Sequence, residues 1–554
     1  MVQPLPAADQ IPEDINHYGF KTIPDILAYT CKKFGPKPAY TSFGRTLDYN
    51  ELDRLSASFA VYLQKETNLQ PGDRVAIQLP NLIQYPVVLF GALRAGLVIV
   101  NTNPLYTASE MEHQFCDSGA KALIIHKSMA HKAEEILLNT EIEHLFVTQV
   151  GDLHGFVKRN LLNAAVKYLK KMEPNFYLPD ALPLRDTLLK YLGETPTPVD
   201  VKPGDIAVLQ YTGGTTGVSK GAILTHANLI SNMLQAENRL RVPGVDWTET
   251  VISPLPLYHI YAFTVAQVVS LLGGHSVLIP NPRDISGFIK ELGKWRMSTF
   301  VGLNTLFVAL CNDEAFLDVD FSNLKFTASG GMALNQSTAE LWREKTGCDI
   351  TEGYGLTETS PAVCFNPPMA NHIGTIGLSM IHTDIRVIGT DGQDVPIGEA
   401  GELCVKGPQV MRGYWQRPKE TACSFTDDGY FITGDIATLD KDGYYRIVDR
   451  AKDMIIVSGF NVYPNEVEDV ITKHPDVIEC AAVGIPDIKA GETVKVFIVS
   501  SNPELSREDI RDWCKDKLTR YKVPKQVEFA DDLPKSNVGK VLRRMLKAPK
   551  TDDV

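Results

Sequence analysis

The chain has 554 residues, 44% of them hydrophobic and 22% charged, a balance that suits a soluble globular protein with several folding units rather than a disordered or fibrous one. Its 55 Lys and Arg against 67 Asp and Glu leave a net charge of −12, which argues against nucleic acid as a general partner while allowing a local basic patch. Nine scattered cysteines without a C-x-x-C pair make neither a disulfide framework nor a zinc site, and they point to reduced thiols in the cytoplasm.

The first residues, Met-Val-Gln-Pro-Leu-Pro-Ala-Ala-Asp, have neither the basic leader nor the apolar stretch of a signal peptide. From there to about residue 380, short apolar runs at 74–79, 97–100, 122–125, 276–279 and 299–301 alternate with helical patterns, as expected of βαβ units with covered parallel sheets. The longer apolar runs 85–100 and 262–279 are interrupted by Arg94, Gly96, Gln267, Gly273 and His275, so both read as helix–turn–strand pieces and not as membrane spans. Between 156 and 171, Lys158, Arg159, Lys167, Lys170 and Lys171 sit among apolar residues at helical spacing. A surface helix covering the domain and a helix that docks on anionic lipid both fit that pattern.

From about 385 to 449 the texture changes: Asp-Gly pairs at 391, 428 and 442 punctuate short strands, the mark of a β-rich subdomain with hairpins. Past a hinge at 450–453, residues 454–554 read as a compact α+β unit. It has a helix over 464–472, strands near 477–483 and 494–499, and a capping-box helix start at Ser506. The predicted fold class is therefore α/β, with a large N-terminal domain over 1–449 and a small mobile α+β C-terminal domain over 454–554.

Four segments carry chemistry. In Tyr211-Thr212-Gly213-Gly214-Thr215-Thr216-Gly217-Val218-Ser219-Lys220, glycines allow close backbone approach, hydroxyls donate hydrogen bonds and a lysine brings charge, all suited to phosphate oxygens. A strand over 206–210 before it and a helix starting near Thr225 after it would complete a strand–turn–helix phosphate site. A P-loop of the form G-x-x-x-x-G-K-[ST] is excluded, because Lys220 follows Gly217 at the wrong spacing and precedes Gly221. The second segment is Glu352-Gly353-Tyr354-Gly355-Leu356-Thr357-Glu358-Thr359, with a ring to stack on a base and a carboxylate to hold a divalent cation. The third is Tyr430-Phe431-Ile432-Thr433-Gly434-Asp435, and the fourth is Leu533-Pro534-Lys535-Ser536-Asn537-Val538-Gly539-Lys540.

In this order the four segments resemble those of the adenylate-forming superfamily of acyl-CoA synthetases, luciferases and peptide-synthetase adenylation domains. The pattern is most similar to that of the bacterial long-chain fatty acid–CoA ligases, and the resemblance spans essentially the whole chain. It implies that Tyr211, Thr212, Gly213, Gly214, Thr215, Thr216, Gly217 and Lys220 surround the ATP phosphates. It further implies that Thr212, or less readily Thr215, ligates Mg²⁺ together with Glu358. Tyr354 would lie against adenine beside Gly330, Glu352 and Gly353, Thr357 against phosphate, and Asp435 against the ribose hydroxyls. Arg450 would contact ribose or phosphate, Lys452 would sit at the hinge, and Lys540 would reach the α-phosphate, so that Lys540, Thr212 and Glu358 form the catalytic set. Arg543 and Arg544 are expected to face solvent.

Substrate choice is expected from Ser253–Thr264, which has no acidic residue to pair with an amino group and so favours an acid with an apolar body. Each buried methylene of such an acid contributes about 0.8 kcal/mol. His259, Ile260 and Phe263 are the acid-binding candidates, with Phe263 at the place of an aromatic gate, and Gly459 opens a face for thioester formation. The implied activity is ligation of a long-chain fatty acid to coenzyme A by way of an acyl adenylate, with ATP and CoA as co-substrates and Mg²⁺ as cofactor. Medium-chain or aryl acyl-CoA ligases, a fatty acyl-AMP ligase and a non-catalytic lipid-binding protein are the alternatives. The expected location is cytoplasmic, with peripheral contact to inner-membrane lipid and a homodimer as further partners, and no nucleic acid.

Overall fold

The computed structural model describes residues 10–212, 219–241, 246, 248–368, 370–458, 460–487, 490–535 and 541–547. Seven strands form one sheet in the order Leu182–Pro183, His144–Thr148, Ala120–His126, Arg74–Gln78, Val98–Asn101, Ile206–Thr212 and Lys220–Thr225. All neighbours are parallel except the last pair. Its inner strands are Val- and Ile-rich because helices cover both faces: Val75, Ala76, Ile77, Ile99, Leu123 and Ile124 are fully buried.

A second sheet of nine strands has a parallel centre made by Ile350–Gly355, Phe326–Ser329, Thr299–Gly302, Val251–Ser253, Ser276–Leu278 and Pro38–Ser42. Antiparallel strands close it at both ends. The run expected to be helix, turn and strand is the helix Ile260–Leu271 followed by Ser276–Leu278, and its neighbour is Gln84–Arg94 followed by Val98–Asn101. Among the described residues no helix is long and apolar enough to cross a membrane.

One local expectation is corrected here. The glycine-rich segment does not lead directly into a helix: Lys220–Thr225 returns antiparallel to Ile206–Thr212, pairing Thr212 with Lys220. The helix His226–Leu240 begins only after that strand, capped by Thr225 in a capping box with Asn228. The strand wins because Ala222 and Leu224 become fully buried and its backbone groups complete the sheet edge. Thr212 and Lys220 thus pair as neighbouring strands, and a full strand separates Lys220 from the helix N-terminus.

Asp384–Ile388, Gly401–Lys406, Phe431–Leu439 and Tyr445–Arg450 make a four-stranded antiparallel sheet. After it, Ile455–Val457, Phe460–Val462, Val477–Asp487, Gly491–Ser500 and Gln526–Phe529 make a five-stranded sheet. The helices Pro464–Ile471 and Arg507–Lys515 pack on this sheet, and Ile455, Val462, Val467, Ile471, Val496 and Ile510 form its separate core. The second of these helices starts with the expected Ser506–Asp509 capping box. The chain is a mixed α/β protein with a large N-terminal and a smaller C-terminal domain.

Candidate active site

Parallel strands leave loops and unpaired backbone groups at their carboxyl ends, and ligands bind there. The ends of Ile206–Thr212, Phe326–Ser329 and Ile350–Gly355 meet residues of Phe431–Leu439 and Tyr445–Arg450 around a cavity of about 1260 Å³. Tyr211, Thr212, His259, Ile260 and Gly330 line it, as do Glu352, Gly353, Tyr354, Thr357 and Glu358, and Asp435, Arg450 and Lys452 complete the set. Gly213, Gly214, Thr215, Thr216, Gly217, Gly459 and Lys540 lie outside the described residues. Lys535 and Val541, on either side of the fourth motif's end, both line the cavity.

At the polar end, the Tyr354 hydroxyl donates to Asp435 Oδ2 at 2.5 Å, and Arg450 Nε lies 3.2 Å from Asp435 Oδ1. Asp435 is 4% exposed, its carboxylate held by Tyr354 and Arg450 from two other strands and its backbone N–H donating to Thr433 Oγ1 on its own. Burial pushes the Tyr354 hydroxyl well above its ordinary range, and the neighbouring Asp435 charge adds to this, so Tyr354 is a donor at any working pH. Glu352 is buried and bridges two loops: Oε1 accepts from Leu334 N at 3.3 Å and Oε2 from Gly374 N at 2.9 Å. Burial outweighs these bonds and pushes its carboxyl up to about 7.

Glu358 is raised as well, again through burial, and Tyr414 donates to its Oε1 at 2.8 Å. Lys220, at the start of its strand, places its Nζ 5.1 Å from the centre of the Tyr414 ring and is not part of the cavity wall. Tyr211 is 7% exposed, and its hydroxyl donates to Asp117 Oδ2 at 2.7 Å, which locks the strand that carries Thr212.

The cavity wall also carries a set of apolar residues. The helix Ile260–Leu271 turns Tyr261, Thr264, Val265 and Val268 toward it, and Val301 and Ala328 face it from the sheet. Phe263 does not: at 1% exposure it packs in the main core and is absent from the cavity wall, so the aromatic gate expected there is not formed by this ring. The helical period explains it, since residues 261, 264, 265 and 268 share one face and 263 falls outside it. His259 caps the helix, its Nδ1 accepting from Tyr261 N at 3.3 Å, which leaves the proton of a neutral ring on Nε2.

A match to the AMP-binding enzyme family covers residues 27–415, and a match to the AMP-binding enzyme C-terminal domain covers 466–540. The chain belongs to the AMP-binding enzymes. Among curated relatives, the long-chain-fatty-acid–CoA ligase of Haemophilus influenzae is 49% identical over 95% of this chain and 94% of its own. That of Escherichia coli O6:H1 is 47% identical over 97% and 96%. The crystal structure of ATP-bound MatB from Rhodopseudomonas palustris superposes with a TM-score of 0.81 at 29% identity, covering 95% of this chain and 98% of that one.

In this AMP-binding enzyme several residues in or beside the cavity carry no motif that marks them. Tyr261 lines the cavity with its ring against Gly330, where an added Cβ would lie 3.2 Å from it. Tyr414 stands beside Glu358, and its only sequence signal is the aromatic pair Tyr414-Trp415. Arg543 is a correction: it does not face solvent but is enclosed, donating to Glu468 Oε1 and Oε2 at 2.8 and 2.9 Å. A terminal arginine carries no sequence sign of such partners, because they come from a helix some seventy-five residues earlier.

Proposed function

We propose that this enzyme joins a long-chain fatty acid to coenzyme A in two half-reactions. The acid's carboxylate oxygen attacks the α-phosphorus of ATP, pyrophosphate leaves, and the thiolate of CoA then displaces AMP from the acyl adenylate. The observation that carries the reading is the cavity itself, whose one wall brings Tyr354, Asp435 and Glu358 together with the apolar Val265, Val268, Val301 and Ala328. A carboxylate resists attack by thiols, and conversion to the adenylate supplies AMP as leaving group. The long-chain relatives, nearly half identical over almost their full length, support the choice of acid.

Asp435 accepts the ribose hydroxyls, Tyr354 holds that carboxylate in place beside adenine, and Arg450 faces ribose or phosphate. Thr212 and Glu358 would hold Mg²⁺: a hydroxyl and a carboxylate on one cavity wall are the hard oxygen donors that this ion takes alongside phosphate, whose charge it would offset. Lys540 supplies the second positive charge at the α-phosphate. The 450–453 segment is the hinge about which the C-terminal domain turns between half-reactions, presenting first Lys540 and then the face opened by Gly459.

The enzyme also docks on anionic lipid through 156–171. The helix Phe156–Ala164 and the turn that continues it, Ala165–Leu169, bury no residue, and Phe156 and Leu169 are 72% and 81% exposed. Such a surface suits delivery of an acid from a membrane.

The test is pyrophosphate release and thioester yield across acids of increasing length, with and without Mg²⁺. Long acids are expected to give the highest kcat/KM, with no product when Mg²⁺ is removed. A preference for aryl or medium-chain acids, or an acyl group that stays on AMP when CoA is present, overturns the assignment.

A further inference from the structure

Arg543 sits where four elements meet. Its guanidinium donates to both oxygens of Glu468 on the helix Pro464–Ile471 and to Asn465 Oδ1 at 2.9 Å, and its Nη1 lies 3.6 Å from Asp453 in the hinge. Asn465 passes the contact on: its backbone N–H donates to Asp449 Oδ2 at 2.8 Å and its side chain to Val448 O at 3.2 Å, both on the strand Tyr445–Arg450 of the large domain. Asp449 is itself fully buried.

The bonds divide into two kinds. Those from Arg543 to Glu468 stay within the C-terminal domain and travel with it. Those from Asn465 to Asp449 and Val448 join the C-terminal domain to the large one in the orientation this structure has, and a turn about the hinge would break them. Arg543 couples the two kinds, because it fixes the same Asn465 whose other groups make the crossing. In that orientation Lys535, Val541 and Arg543 line one cavity with Asp435 and Glu358. Lys535 and Val541, the described residues on either side of 536–540, therefore face the nucleotide site.

We infer that Arg543 is a positioning residue for adenylation: through Asn465 and Asp453 it holds the C-terminal domain in the orientation that offers the end of the fourth motif to the nucleotide. This deepens the two-step reading above and rests on it. Truncating one member of such an enclosed charge cluster leaves its partners uncompensated, and here the cost falls on one orientation more than on the other.

The experiment compares Arg543→Gln, Arg543→Lys and Lys540→Ala with the unmodified enzyme. Each is assayed for ATP–pyrophosphate exchange with a long-chain acid and, separately, for thioester formation from supplied acyl-AMP and CoA. Arg543→Gln is expected to slow exchange about tenfold or more while thioester formation stays within about twofold, and Arg543→Lys to recover part of the loss. Equal losses in both halves, or no loss in either, overturn the inference. Lys540→Ala separates that failure from failure of the two-step reading. If Lys540→Ala splits the half-reactions and Arg543→Gln does not, Arg543 has no positioning role. If Lys540→Ala loses both equally, the rotation itself falls, and the Arg543 inference with it. Thermal midpoints of all variants establish that each is folded.

Discussion

A single carboxyl at position 352 shows how burial and function compete in this chain. Glu352 is 7% exposed and receives backbone donors from two loops that frame the cavity, yet desolvation outweighs them and raises it from 4.5 to about 7. The sign follows from proton counting. Below pH 4.5 both folded and unfolded chains hold the proton, and between 4.5 and 7 the unfolded chain loses it first. Folding stability therefore falls as pH rises through that window and levels off above it, by about 3 kcal/mol. Glu352→Gln, which cannot ionise, should gain thermal midpoint relative to the unmodified enzyme between pH 5 and pH 8. A constant gap across that range would remove Glu352 as the titrating group. The motif placed Glu352 in the site from sequence; its bonds to Leu334 and Gly374 came only from folding, because those partners lie on other loops.

At the scale of elements, the helix Phe156–Ala164 is the one whose sequence pattern admitted two readings. A helix covering the domain would bury its apolar face, yet here the side toward the protein is polar: Asn163 Oδ1 accepts from Gly151 N at 2.8 Å, and Lys158 Nζ reaches Gly44 O at 3.2 Å. Leu161 and Tyr168 are left 66% and 68% exposed. On an anionic surface each cation adds about 1 kcal/mol. Replacing Lys158, Lys167, Lys170 and Lys171 by Glu should abolish cosedimentation with vesicles containing anionic lipid while leaving kcat for soluble acids in place. Undiminished sedimentation would remove this helix from the docking surface. The hairpin Ile206–Thr212/Lys220–Thr225 teaches the converse. Local pattern foretold the first strand and the helix cap at Thr225, but not the return strand, whose hydrogen bonds are offered by a sheet assembled from distant segments.

For the molecule as a whole, the proposed reaction needs one cleft to present two different sets of groups in turn. The C-terminal domain has its own core, and among the described residues polar bonds from Asn465 to Asp449 and Val448 join it to the large domain. Lys540→Ala should lower acyl-AMP formation by two or more orders of magnitude, as loss of a charge at a developing oxyanion does, while much of the thioester step from supplied acyl-AMP survives. Rapid-quench measurement of each half-reaction reads this directly, and parallel loss in both would rule out a domain that alternates.

The order and wording of four motifs, and the alternation of apolar runs with helical patterns, were enough to establish the family, the α/β class and most residues of the polar cavity wall, because those depend on backbone chemistry written in short contiguous strings. Tertiary structure alone decided that Phe263 packs inward while Tyr261 meets Gly330, that Tyr414 flanks Glu358, and that Arg543 is enclosed. The reason is physical: which face of a helix meets a cavity, and which charge finds a partner, depends on surfaces contributed by residues far away in the chain, and no local pattern records them.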